Sequence, residues 1–350
     1  MLNIIGTIML FLAFGISIFS AIRINSTNIH SLRNVTAIFQ CAPFLILTIC
    51  FLIEDTSNQL VSQYVGEGLP IFYRISAVWG SRVGPILMWA SIMGIITLIM
   101  SRQKNLSNFT IQIMNSWIAI LFLVSLFLDP FSASASGLRR GEISPLLQTD
   151  LMVIHPPVVF LYYSLCLATA TIAVSGVIRS ESSEKIHSSM IQWARYSLLA
   201  GSVGIGLGGL WAYTVLDWGG YWAWDPVETG SLLPWLALLG ILHARARRSS
   251  LRPFSYTPAL AMISGALVFI DTNGNYVQDA GEITSTTNER GEFFSKSSCR
   301  CTIQFDSSHD LESEHLYDSC NHAIGIETCW MILRTLNESA FLYLLQRASF

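Results

Sequence analysis

The chain has 350 residues, of which 52% are hydrophobic and only 12% charged, and its mean hydropathy is +0.49. Soluble domains carry about 25% charged residues, so this composition excludes an ordinary soluble protein and points to a membrane one. A formal net charge of −3 excludes the basic footprint of a nucleic-acid binder, and the seven cysteines do not form a disulfide framework.

Apolar runs of about 17 residues or more read as spanning helices. Eight such runs occur, at about 2–22, 35–53, 84–100, 113–129, 152–178, 197–216, 227–244 and 254–270. The expected fold is therefore all-α: a polytopic membrane domain over residues 1–270 with about eight transmembrane helices, followed by a polar carboxy-terminal tail over 271–350. The first run lacks a basic leader and a small-residue cleavage site, so it reads as an anchor. Gly84-Pro85, Pro156-Pro157 and Pro234 interrupt apolar runs, which neighbouring helices in a bundle tolerate. The run Gly201, Gly204, Gly206, Gly208, Gly209 has no strand before it and predicts close helix packing, not a nucleotide loop. Cys41, Cys50 and Cys166 lie in apolar runs and read as buried hydrophobes, while Cys299, Cys301, Cys320 and Cys329 crowd the tail.

Loop charges set an orientation. The loops containing Arg23 and Arg33, Arg102 and Lys104, Arg179, Lys185 and Arg195, and Arg245 to Arg252 hold 11 basic residues, whereas the alternate loops before residue 271 hold only Arg74, Arg82, Arg139 and Arg140. By the positive-inside rule the first set is cytoplasmic. The amino terminus, the 54–83 and 130–151 loops, His155 and a tryptophan-rich loop at 211–228 then share the outer side. His30 and His187 fall on the inner side, where solvated side chains are expected.

In the tryptophan-rich loop Trp211, Trp218, Trp222 and Trp224 fall within fourteen residues. An interfacial aromatic belt accounts for one or two of them; a cluster with two glycines also suits the face of a large flat ligand. Asp225, Pro226 and Glu228 have the N-cap, N1 and N3 spacing of a helix start, so both carboxylates read as structural caps of the loop. His155 precedes Pro156-Pro157 at a membrane boundary, as either an interfacial histidine or a ligand. His243 lies 17 residues past Pro226, roughly 26 Å along a helix, as either an inner-interface or an intramembrane histidine.

The run Trp218-Gly219-Gly220-Tyr221-Trp222-Ala223-Trp224-Asp225-Pro226-Val227-Glu228 resembles the WWD signature of the haem-handling proteins of cytochrome c maturation. Within that superfamily the chain most resembles the CcmF family. Leu69 to Gly80, Pro145 to Gln148 leading to Ile154-His155-Pro156-Pro157, and the spacing from Asp225 to His243 carry the likeness, over about residues 60 to 270. The resemblance implies a haem lyase (a cytochrome c synthetase component) of the plasma (inner) membrane. Two apocytochrome c thiols add across the haem vinyl groups to give thioethers. It further implies that His155 ligates a transient substrate haem against Trp211, Trp218, Trp222 and Trp224 on the extracytoplasmic side, and that His243 ligates the iron of a b-type haem. A CcmE-like haem carrier and a CcmH-like thiol protein are the implied partners. Two other readings stay open: a CcsA-type cytochrome c synthetase, and a haem transport or binding subunit without ligation activity.

The likeness ends at about residue 270, so the histidines that complete both ligand sets in that family have no counterpart here. Trp79-Gly80 is followed by Ser81-Arg82, where the family usually has His-Glu-Gly-Ser. His309, His315 and His322 in the tail sit in none of its motifs. The tail reads as a native tail, as the end of a truncated or out-of-frame sequence, or as a calcium loop with oxygen ligands Asp271, Asn273, Asn275, Asp279 and Glu282, although Tyr276 stands where such a loop needs glycine.

Overall fold

The computed structural model describes residues 1–22, 29–134, 141–215, 222, 226–243, 256–270, 285–287 and 293–295. The helices follow in order: α1 Leu2–Ile22, α2 Ile29–Leu52, α3 Gln59–Tyr64, α4 Ile71–Gly80, α5 Gly84–Ser101, α6 Asn108–Leu128, α7 Asp150–Ile178, α8 Ser183–Thr214, α9 Pro226–His243 and α10 Tyr256–Ile270. Two compact units divide the chain, Met1–Val277 and Gln278–Phe350. Of the second, the described part is one antiparallel pair, β1 Ser285–Thr287 with β2 Phe293–Ser295, with Thr286 opposite Phe294. The calcium-loop residues Asp271, Asn273, Asn275, Asp279 and Glu282 lie outside the described residues.

Five helices of the first unit are long and apolar enough to cross a membrane: Leu2–Ile22, Leu32–Leu52, Gly84–Ser101, Asn108–Leu128 and Asp150–Ile178. Val227–His243 and Thr257–Val268 are shorter apolar helices. This unit is an all-α, multi-pass membrane bundle. Its helix starts are local in origin. Asn58, Ser107, Thr149 and Ser182 each stand at an N-cap with the side chain accepting from first-turn amides, satisfying donors that have no intrahelical partner. Pro85 stands in the first turn of α5, where its missing N–H costs nothing.

Hydropathy alone underestimates two parts of the fold. The span expected from residue 197 is only the second half of α8, which begins at Ser183. Its first turns are amphipathic, with Ile186, Met190, Trp193 and Ala194 buried at helical spacing. His187 consequently sits half-buried on that helix and is not a solvated loop residue; burial, and secondarily Arg195, push its pKa down. The 54–83 loop folds into α3 and α4, and the 130–151 loop contains a 3-10 turn at Pro145–Leu147.

The core is centred on α7, buried continuously from Tyr162 to Ala173. By contrast α1 exposes Ile4, Ile8, Phe11 and Phe19, the outward apolar face that lipid requires. A polar cluster joins the amino-terminal helices: Gln40 Nε2 on α2 donates to Ser17 Oγ on α1 at 3.0 Å and to Asn115 Oδ1 on α6 at 2.9 Å.

Charge is segregated between the bundle ends. Among the described residues, Arg33, Arg102, Lys104, Arg179 and Lys185 share the end where α5 and α7 finish with only Glu181 and Glu184. The opposite end has Glu54, Asp55, Glu67, Asp129, Glu142, Asp150 and Glu228 with only Arg74 and Arg82. At the basic end Arg33 Nη1 donates to Ser101 O at 2.7 Å and Arg33 Nη2 to Asn108 Oδ1 at 2.8 Å, closing α5 against α6. At the acidic end the loops knit together: Asn58 Nδ2 donates to Pro130 O at 3.1 Å and Gly141 N to Ser62 O at 2.9 Å. Arg74 meets Glu54 at 2.8 Å, tying α4 to the finish of α2.

Candidate functional site

The acidic end of α7 carries His155, and two features of the local sequence and one contact from α4 fix it there. Thr149 caps the helix, its Oγ1 accepting from Met152 N at 3.3 Å. Pro156, one residue past the histidine, has no N–H, so the Met152 carbonyl loses its helical donor. Trp79, the penultimate residue of α4, replaces that donor: its indole Nε1 donates to Met152 O at 2.8 Å.

The imidazole is 5% exposed. Its Nδ1 lies 3.1 Å from the carbonyl oxygen of Gly204 on α8. A carbonyl only accepts, so Nδ1 is the donor, which in a neutral ring places the lone pair on Nε2. Trp211, itself buried, meets the ring edge-on with centroids 5.7 Å apart and planes at 77°. The glycine stripe of α8 receives α7 as expected: a Cβ at Gly201 would press on Tyr162, one at Gly204 would lie 3.4 Å from Val159, and one at Gly208 would lie 3.0 Å from His155 Cε1.

Two further hydrogen bonds place α9. Tyr162 Oη donates to Ser231 O at 2.9 Å, and Trp235 Nε1 donates to Ser202 Oγ at 3.0 Å. Pro226 is the first residue of α9, so the helix starts where the sequence signature places it, and Glu228 lies half-buried in its first turn. His243 is the last residue of that helix and is exposed. It stands twelve residues beyond Ser231, about 18 Å further toward the basic end. His155 and His243 therefore do not share a site. Trp222 is half-buried; Trp218, Trp224 and Asp225 lie outside the described residues.

Among the described residues no group of three or more His, Cys, Asp or Glu side chains could hold a bare metal ion. One buried imidazole beside an indole has instead the donor chemistry that would suit iron already held in a porphyrin. The residues present fit haem in that sense.

The profile of the family described as "Cytochrome C assembly protein" matches residues 79–273. The chain belongs to the cytochrome c assembly protein family. Among relatives, it is 29% identical over 278 residues to the cytochrome c-type biogenesis protein NrfE of Haemophilus influenzae, covering 76% of this chain and 43% of that one. It is 32% identical over 276 residues to the cytochrome c-type biogenesis protein CcmF of Pseudomonas aeruginosa, covering 73% and 40%. A solved structure of the cytochrome c haem lyase CcmF superposes with a TM-score of 0.58 at 22% identity, covering 80% of this chain and 46% of that one; this likeness is one of fold. The chain spans less than half the length of these relatives.

Sequence reasoning singled out His155 and Trp211, which the structure brings together. It missed Gly204 and Gly208 as partners of the histidine and Trp79 as the donor to Met152 O. Pro156 held the readable signal for Trp79, because it leaves one carbonyl needing an outside donor.

Proposed function

We propose that this assembly-family chain holds haem on the outer face of the plasma (inner) membrane and promotes its thioether attachment to apocytochrome c. The observation that carries this reading is the buried pair of His155 and Trp211 at the acidic end of the bundle, the tautomer of the imidazole set by Gly204 O. The excess of cations at the opposite end supports an outward acidic end by the positive-inside rule.

In this reading His155 Nε2 would hold the iron, and Trp211 with Trp218, Trp222 and Trp224 would give the porphyrin an apolar face. Haem supplies two vinyl groups, each taking up a cysteine S–H with sulfur on one carbon and hydrogen on the other. The chain's residues orient that edge toward the incoming thiols and exclude water, which lowers the barrier by proximity. Asp225, Pro226 and Glu228 fix the loop to α9. His243, about 28 Å from His155 along the bundle, is the proposed ligand of a separate b-type haem. A CcmE-like carrier delivering haem and a CcmH-like protein presenting the apocytochrome complete the proposal.

Co-expression with an apocytochrome tests it. Covalent haem on the cytochrome, abolished by His155→Ala, is the expected result; undiminished attachment in that variant overturns it. A second reading, a haem-binding subunit without ligation activity, is favoured by one observation: among the histidines whose burial is described, His155, His187 and His243, only His155 is buried. Haem retained by this chain and never transferred would select that reading.

A further inference from the structure

We infer that Gly208 is a positioning residue for His155: by lacking a Cβ it lets the imidazole lie flat enough on α8 for Nδ1 to reach Gly204 O, and so fixes which ring nitrogen is offered to iron. The inference rests on the proposed ligand role of His155. It turns on two observations of different kinds. One is steric: a Cβ at Gly208 would lie 3.0 Å from Cε1, 3.6 Å from Nε2 and 3.7 Å from Nδ1, so it would press on the ring, chiefly at Cε1. The other is polar: the Nδ1 to Gly204 O distance is 3.1 Å, near the long limit for such a bond, so the ring has little room to retreat before the bond is lost.

Geometry makes the two act together. Gly204 and Gly208 are one helical turn apart, so the carbonyl that accepts from Nδ1 and the gap that admits the ring belong to the same face of α8. A methyl at 208 drives the ring off α8, breaks the contact with Gly204 O and allows the proton to move to Nε2, which can then no longer donate a lone pair. Groups that set the tautomer of a metal-binding histidine are typically worth about 10- to 100-fold in metal affinity. Gly206 is the internal control. It lies on the same helix between the two, is exposed, and has nothing within 4 Å of a Cβ built on it, so alanine there changes helix propensity equally without touching the ring.

The experiment uses the full chain purified in detergent with 15N-labelled histidine, first without haem. The His155 ring signals are those missing in His155→Gln. Wild type and Gly206→Ala are expected to show a protonated Nδ1 and an unprotonated Nε2, and Gly208→Ala to show a population protonated on Nε2. Haemin titration should then give an affinity about tenfold or more lower for Gly208→Ala and within about twofold of wild type for Gly206→Ala. Wild-type tautomer and affinity in Gly208→Ala would overturn the inference while leaving the ligand role of His155 intact. Undiminished haem binding by His155→Gln would overturn both. Should Gly208→Ala fail to accumulate, wild type alone decides the polar half: a proton on Nε2 there overturns the inference, and one on Nδ1 upholds that half.

Discussion

The indole of Trp79 donates to the carbonyl of Met152 at 2.8 Å, and it does so because Pro156 has removed that carbonyl's helical partner. A residue of α4 thus completes the first turns of α7, immediately below the histidine. Trp79→Phe keeps the ring but strands the acceptor, at a cost of about 1–3 kcal/mol. Chemical unfolding in detergent should show it as a lower midpoint. Pro156→Ala restores an N–H to the helix, so in that background Trp79→Phe should cost measurably less. Equal losses in both backgrounds would refute this pairing.

Gly84 opens α5 where the chain turns back from α4. A Cβ there would run into the Val78 carbonyl, which already accepts from Ser81 Oγ at 2.6 Å. Gly84→Ala is expected to destabilise the bundle by about 1–3 kcal/mol. Gly15→Ala, on the lipid-facing side of α1 with nothing within 4 Å, should be neutral or stabilising by up to about 1 kcal/mol. A comparison of thermal midpoints checks both, and a tolerant Gly84→Ala would contradict the packing of this turn.

Gln40 joins α1, α2 and α6 through Ser17 and Asn115 and is only 1% exposed. Interhelical hydrogen bonds of this kind are worth about 0.6–2 kcal/mol in membranes. Gln40→Leu alone should exceed that range, because it leaves the Asn115 amide buried without this donor. The double variant Gln40→Leu with Asn115→Leu should recover much of the loss. Both should leave haem binding unchanged, since the cluster lies on helices other than α7 and α8.

The asymmetry of charge between the two ends can be checked from outside the cell. With the four tail cysteines replaced by serine, Glu67→Cys should react with a membrane-impermeant maleimide in intact cells. Asn105→Cys should react only after permeabilisation, and the natural Cys50 and Cys166, both buried, in neither case. The reverse pattern would turn the molecule over and overturn the proposed extracytoplasmic placement of the site.

Much of the helical layout was legible because a bilayer imposes one simple demand, a long apolar run, and each expected run coincides with a helix. What was not legible follows from the same fact. The amino-terminal half of α8 is polar on one side and buries Ile186, Met190 and Trp193 on the other, so a hydropathy scan passes over it. α3 and α4 are held in place by Asn58 Nδ2 on Pro130 O and by the Arg74–Glu54 pair, contacts that separated segments make only after folding. At the candidate site, His155 was singled out by its place before Pro156-Pro157 together with the family resemblance, whereas Gly204 contributes a backbone atom that no residue-type argument reveals.

The antiparallel contact of α7 with α8 runs its whole length, from Gly176 against Ile186 near the tight turn, through Cys166 beside Ser197 and Tyr162 on Gly201, to His155 on Gly208. Such a pair of rods behaves like a toothed rack. Sliding by one notch requires every tooth to lift together, so the height of the imidazole is inherited from the Arg179–Ser182 turn roughly 35 Å away. One extra residue spliced into that turn would act as a shim on the far surface of the membrane.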